Sequence, residues 1–199
     1  MTKRIVFDLG NVLFPLEYQE LEDWLKTTVE VYDPNFKNRF DELYVNYEAG
    51  QLDTQMFFKT LRTELKMQFE DETFRQKWIS LWKRDHEDVH QLLYELKEKG
   101  HLLTLLSNTN EMHMNEYLKT RPVLQIFDHA YYSYELKLAK PHVEIYHKVQ
   151  SLMGVEAKQI IFFDDKPDNV EGAISAGWNA YVFTDAEEVR TQLEQLECF

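Results

Sequence analysis

The chain has 199 residues, of which 22 are basic and 35 acidic (net charge −13), with 44% apolar and 14% aromatic content. That size and apolar fraction suit one domain with a modest insertion and exclude a disordered chain. The negative charge predicts repulsion from nucleic acid and from anionic membranes. The one cysteine, Cys198, permits no intramolecular disulfide and reads as an idle thiol on a frayed end. The apolar run near the start stops at Asp8, far short of a signal-peptide core or a membrane span, so a cytoplasmic location is expected.

In chain order, Ile5-Val6-Phe7 is a short apolar run rich in β-branched residues, the pattern of a buried parallel strand. Glu17 to Arg84 shows no strand pattern. There Phe40, Leu43, Tyr44 and Tyr47 share one helical face, and Phe74, Trp78, Leu81 and Trp82 another. A helical bundle inserted after the first strand is predicted. Tyr44, Tyr47, Trp78 and Trp82 read as packing between its helices rather than as stacking partners for a sugar ring.

Val89, Leu92, Leu93 and Leu96 predict an amphipathic helix that Gly100 stops. Leu102–Leu106 predicts a second strand and Ala130–Ser133 a weaker one. Pro141 stands where a helix could begin, with Ile145, Val149 and Leu152 as its apolar stripe. Ile160–Phe163 and Ala180–Phe183 read as strands, Asp168–Ala176 and Ala186–Leu196 as helices. Alternating strands and helices predict an α/β fold: a Rossmann-like parallel sheet with right-handed crossovers and helices on both faces, plus a small all-α insertion.

In such sheets ligands bind beyond the carboxyl ends of the strands. Four segments fall there. Asp8-Leu9-Gly10-Asn11-Val12 follows the first strand and Ser107-Asn108-Thr109 the second. Asp164-Asp165 follows Ile160–Phe163, and Lys140 precedes a helix in the same half of the chain. A carboxylate at the end of an apolar strand is costly unless it is paired or holds a cation. It can also attack phosphorus to give an acyl-phosphate that water then hydrolyses. Asp8 with one of the adjacent acids fits the hard-oxygen preference of Mg²⁺. Ser107 and the amides after it suit phosphate oxygens, and Lys140 suits transition-state charge. His113, His142 and His147 form no metal-ligand grouping and read as surface or core residues.

Phe7-Asp8-Leu9-Gly10-Asn11-Val12, Leu106-Ser107-Asn108-Thr109, Lys140-Pro141 and Phe162-Phe163-Asp164-Asp165 resemble the four motifs of the haloacid dehalogenase-like hydrolases, in order and over nearly the whole chain. The helical insertion resembles the cap of that superfamily's subgroup I, and Tyr47-Glu48-Ala49-Gly50-Gln51-Leu52 its substrate-specificity turn. The Asp-Leu-Gly-Asn-Val form, Ser107-Asn108-Thr109-Asn110 and Asp164-Asp165-Lys166-Pro167-Asp168-Asn169-Val170-Glu171-Gly172-Ala173 are most similar to the bacterial α-D-glucose-1-phosphate phosphatase group.

The resemblance implies a catalytic core over 1–16 and 85–199 and a cap over 17–84. It implies a Mg²⁺-dependent phosphomonoesterase for small organic phosphates, with glucose 1-phosphate as the type substrate, acting as a monomer or weak homodimer. Asp8 would be the nucleophile. Asp8, Asp165 and the carbonyl oxygen of Gly10 would hold Mg²⁺, with Asp164 helping directly or through water and Asp168 in support. Ser107, Asn108 and Lys140 would bind the phosphoryl group.

One departure stands out. Most phosphatases of the superfamily carry a second aspartate two positions after the nucleophile, as general acid and base. Here that position is Gly10. General acid–base assistance is worth roughly 10²–10⁴-fold, so Glu48 is the candidate replacement. Gly10 also leaves open a non-catalytic phosphate-binding protein, and it disfavours a phosphotransferase. A dehalogenase, which needs no Mg²⁺, is disfavoured because nothing would offset Asp164 and Asp165 beside Asp8.

Overall fold

The computed structural model describes residues 3–30, 35–81 and 84–198; Trp82 lies outside them. Five strands, β1 (Arg4–Phe7), β2 (Leu102–Ser107), β3 (His129–Tyr132), β4 (Ile160–Asp164) and β5 (Asn179–Val182), form one parallel sheet in the order β3-β2-β1-β4-β5. Each lies within a residue of the apolar run that predicts it.

Alternation along β1 sends Ile5 and Phe7 to one face and Val6 to the other. The first face packs on α5 (Glu87–Glu98) and α10 (Ala186–Gln195), through Val89, Leu92, Leu93, Leu96, Val189 and Leu193. The second packs on α8 (Val143–Met153) and α9 (Pro167–Ser175), through Ile145, Tyr146, Val149 and Ala173. Helices therefore cover both faces.

Between β1 and α5 the described residues hold four helices: α1 (Gln19–Thr27), α2 (Phe36–Glu48), α3 (Thr54–Thr63) and α4 (Asp71–Ile79). Their common core is aromatic. Tyr47 stacks on Phe57 with centroids 4.4 Å apart, and Phe74 stacks on Trp78 at 5.2 Å. Tyr47 and Trp78 are buried, as the packing reading expects. No helix among the described residues is long and apolar enough to cross a membrane.

Two ties fix this bundle over the sheet. On α6 (Glu111–Thr120), buried His113 donates from Nε2 to the Trp78 carbonyl (3.1 Å), while its Nδ1 accepts from Asn110 (3.2 Å). Burial pushes its pKa down to about 4, which keeps it neutral. The turn after α2 rests on α7 (Ser133–Leu136). Ser133 Oγ donates to the Glu48 carbonyl (2.6 Å) and Lys137 Nζ to that of Gly50 (2.5 Å). Gly50 has φ +64°, and a Cβ there would come within 2.2 Å of the Tyr134 carbonyl oxygen. Only glycine allows this turn to lie so close to the core.

Three expectations are corrected. Cys198 is not on a frayed end: it is buried in the main core, and its N–H donates to the Leu193 carbonyl. Pro141 does not start α8. It lies in a turn, closed by His142 N–H to the Ala139 carbonyl, and the helix begins at Val143. Leu152 is 49% exposed; the stripe runs through Ile145, Val149 and Met153, four residues apart, because the covered face is narrow.

Candidate active site

Parallel register decides which side chains meet. Phe7 of β1 pairs with Leu105 of β2 and with Phe163 of β4. The strands' carboxyl ends therefore bring Asp8, Ser107 and Asp164 together, with Asp165 one residue beyond. The strand order reverses direction at β1, the switch point where open α/β sheets hold ligands.

Lys140 joins them. Its Nζ lies 2.6 Å from Asp8 Oδ1 and 2.5 Å from Asp164 Oδ2, and donates to the Leu106 carbonyl at 3.0 Å. All three charged groups are buried. Burial alone would lower the lysine's pKa, but the Asp164 and Asp8 carboxylates outweigh it and the net shift is upward. Lys140 stays an ammonium. Its backbone is gripped by the Asn108 side chain, which accepts from Lys140 N–H (2.9 Å) and donates to the Lys140 carbonyl (2.8 Å).

Two carboxylates share that one ammonium. Burial, opposed by Lys140 and reinforced by Asp164, pushes the Asp8 carboxyl up to about 7. Asp8, Asp164 and Asp165 each offer an oxygen, and these lie within 4.8 Å of one another, a group able to hold a metal ion. Hard carboxylate oxygens on a site short of positive charge fit a divalent cation such as Mg²⁺.

The adjacent acids have different surroundings. Asp164 is fully buried and accepts from Lys140, from Lys166 N–H (2.9 Å) and from Asn169 Nδ2 at both oxygens (2.9 and 3.0 Å). Asp165 is partly exposed, lines the pocket with Asp8 and Gly10, and accepts from Asn11 Nδ2 (2.9 Å). Asp168, expected as support, is exposed on α9; the supporting side chain is its neighbour Asn169.

Ser107, Asn108, Thr109, Glu48 and Lys166 line the same pocket. Thr109 Oγ1 is buried there with no partner among the described residues. Burial raises the Glu48 pKa, against the opposing pull of the Tyr44 hydroxyl bonded to it and of Lys166 and Lys140. A Cβ at Gly10 would lie 2.8 Å from Leu16 Cδ1, so a side chain there would require the Leu16 side chain to shift.

The expected site residues thus border the pocket except Asp164, which is held behind it, and Asp168, which lies outside it. Asn11, Leu16 and Asn169 were missed. The Asp-Asn pair at 168–169 was a usable signal for the last; nothing local marks the other two.

A haloacid dehalogenase-like hydrolase family model matches residues 2–177. The chain is similar to a sesquiterpene phosphatase of Aspergillus oryzae, 26% identical over 98% of this chain and 96% of that protein. It is similar to a D-ribitol-5-phosphate phosphatase of Bacteroides thetaiotaomicron, 25% identical over 97% of each. A solved structure of a family enzyme from B. thetaiotaomicron, in complex with magnesium and inorganic phosphate, superposes with a TM-score of 0.78. The two share 27% identity over 93% of this chain and 96% of that one.

A cation on Asp8 must displace the proton that Asp8 holds below about pH 7. The carboxylate form prevails above that pH, so apparent Mg²⁺ affinity should fall by up to about tenfold per unit as pH drops below 7. Magnesium titrations by calorimetry at pH 6 and pH 8 check this; equal affinities with no proton release would contradict it.

Proposed function

The chain belongs to the haloacid dehalogenase-like hydrolase family, and from that premise we propose that it is a Mg²⁺-dependent phosphomonoesterase working through a phosphoryl group carried on Asp8. The observation that supports this best is the buried Lys140 ammonium 2.6 Å from Asp8, with a second acid, Asp165, on the same pocket and free of that ammonium. We take residues 17–84 as the cap and the remainder as the catalytic core.

In this reading an Asp8 oxygen attacks phosphorus while the ester P–O bond breaks, and the departing oxygen takes a proton. Water then attacks the phosphorus of the acyl-phosphate, the P–O bond to Asp8 breaks, and inorganic phosphate leaves with the carboxylate restored. Mg²⁺, which Asp8, Asp165 and the Gly10 carbonyl would hold, supplies positive charge beside the phosphoryl oxygens. Lys140 offsets charge from the other side, and Ser107 and the Asn108 amide bind the phosphoryl oxygens. Asp164 and the Asn108 side chain keep Lys140 in place.

Glu48 is the proton donor of this scheme. It borders the pocket, and its raised pKa favours the protonated form. It takes over a task that Gly10 cannot perform.

The leaving group is a small organic alcohol. Glucose 1-phosphate is the sugar that the sequence motifs imply. The similar proteins act on a polyol phosphate in one case and are named for a sesquiterpene in another, so polar and apolar alcohols both belong in the test.

Phosphate release from an aryl phosphate, with and without Mg²⁺, tests the reading. Asp8→Asn should lose turnover by several orders of magnitude while the fold stays intact, checked by a single cooperative thermal transition; full activity in that variant would remove Asp8 as nucleophile. Glu48→Gln should slow an alkyl phosphate by about 10²-fold while sparing aryl phosphates, whose leaving oxygen needs little protonation. Equal losses on both would remove Glu48 as the acid.

A further inference from the structure

The pocket at Asp8 is small, about 60 Å³. A water needs about 10–15 Å³ measured in this way, so the space suits a phosphoryl group and little else. The rest of any ester must leave through a neighbouring space.

One such space lies within the helical bundle. A cavity of about 250 Å³ opens between α1, α2 and the end of α4. Leu21, Leu25, Phe36, Phe40 and Trp78 line it, and Tyr18, Tyr44 and Leu81 border both it and the pocket at Asp8. The two volumes are thus neighbours, with these three side chains standing between them. For scale, an apolar cavity of about 150 Å³ is enough to take up benzene.

The chemistry of the walls is one-sided. The charged residues that reach the cavity, Glu22, Lys37 and Asp41, are exposed and satisfy one another: Lys37 Nζ lies 3.3 Å from Glu22 and 3.2 Å from Asp41. The Tyr44 hydroxyl is bonded to Glu48. A polyol placed here would lose water from its hydroxyls and find few partners in return. An apolar chain would bury its surface against leucine and aromatic rings.

We propose that this cavity receives the leaving group, and that the substrate is the phosphomonoester of an apolar alcohol, alkyl, alkenyl or aryl, rather than of a sugar or polyol. The proposal rests on the reading of Asp8 as the phosphoryl site and adds the class of alcohol to it. A competing exit exists: a wide groove of about 940 Å³, bordered by Lys137, His142, Glu144 and Lys166, also meets the pocket at Glu48 and Lys140. Its walls mix charged and apolar groups, and a polar leaving group would use it. The apolar route is favoured because leucine and aromatic rings make up most of the bundle cavity's wall, whereas charged side chains border the groove.

Non-cleavable phosphonates separate the two routes. Butyl-, hexyl- and octylphosphonate are titrated by calorimetry into the unmutated protein with Mg²⁺, beside a polyhydroxylated hexylphosphonate. Affinity should rise about three- to fourfold per added methylene, the yield of burying each CH₂, with a negative heat-capacity change. Hexylphosphonate should bind more than tenfold tighter than its hydroxylated counterpart. Leu25→Trp, which fills the cavity, should flatten the series, and inorganic phosphate binding by the same variant reports that the phosphoryl site stands. Affinities independent of chain length, or tighter binding of the polyhydroxylated compound, would overturn the proposal; the unmutated series decides this even if the variant fails to fold. Release of phosphate from aryl phosphate is measured separately. A rising series without any release removes the hydrolytic reading and keeps the apolar site, whereas release with a flat series does the reverse.

Discussion

A single buried ammonium organises this molecule. Lys140 lies within 2.6 Å of Asp8 and 2.5 Å of Asp164, out of water. Burying such a group is costly unless its partners are close and its remaining protons are bonded. Here they are: two carboxylates and the Leu106 carbonyl take the three N–H bonds, and Asn108 fixes the backbone behind them. The cluster draws together the ends of β1, β2 and β4 and the turn before α8. The site therefore stands at the very ends of the sheet's central strands, and placement against rigid elements holds reacting groups more precisely.

The same arithmetic of charge explains the division between the two adjacent acids. One ammonium cannot neutralise three carboxylates. Asp164, saturated by Lys140, Lys166 N–H and Asn169, serves as the anchor. Asp8 and Asp165 face the pocket with negative charge left over, and a divalent cation supplies what is missing. Gly10 follows the same logic in space. Leu16 occupies the volume into which a side chain at position 10 would project. Glu48, our proposed acid, meets the pocket from the turn that Ser133 and Lys137 pin onto the core.

Much of this was legible in the sequence. Asp8, Ser107 and Asp164-Asp165 declare themselves because each ends an apolar run, and strand ends are where a parallel sheet puts its ligands. Lys140 was legible only by its motif with Pro141, since nothing local distinguishes it from a surface lysine. The proline misled about the helix start for the same reason: its turn serves to aim Lys140, not to open α8. Asn11 and Leu16 were not legible, because their roles arise when the loop after β1 folds back on itself and Leu16 N–H donates to Asn11 Oδ1. The bundle cavity was hidden as well. Helical periodicity in α1 and α2 tells which faces are apolar, but not how far apart two such faces stand.

The central claim is covalent chemistry at Asp8, and trapping tests it most directly. Protein is quenched during Mg²⁺-supported turnover of an aryl phosphate, treated with borohydride, digested and read by mass spectrometry. An acyl-phosphate on Asp8 is reduced to homoserine at that position, and this account predicts that product in the peptide containing Ile5-Val6-Phe7. Phosphate release with Asp8 recovered wholly as unmodified aspartate would contradict it.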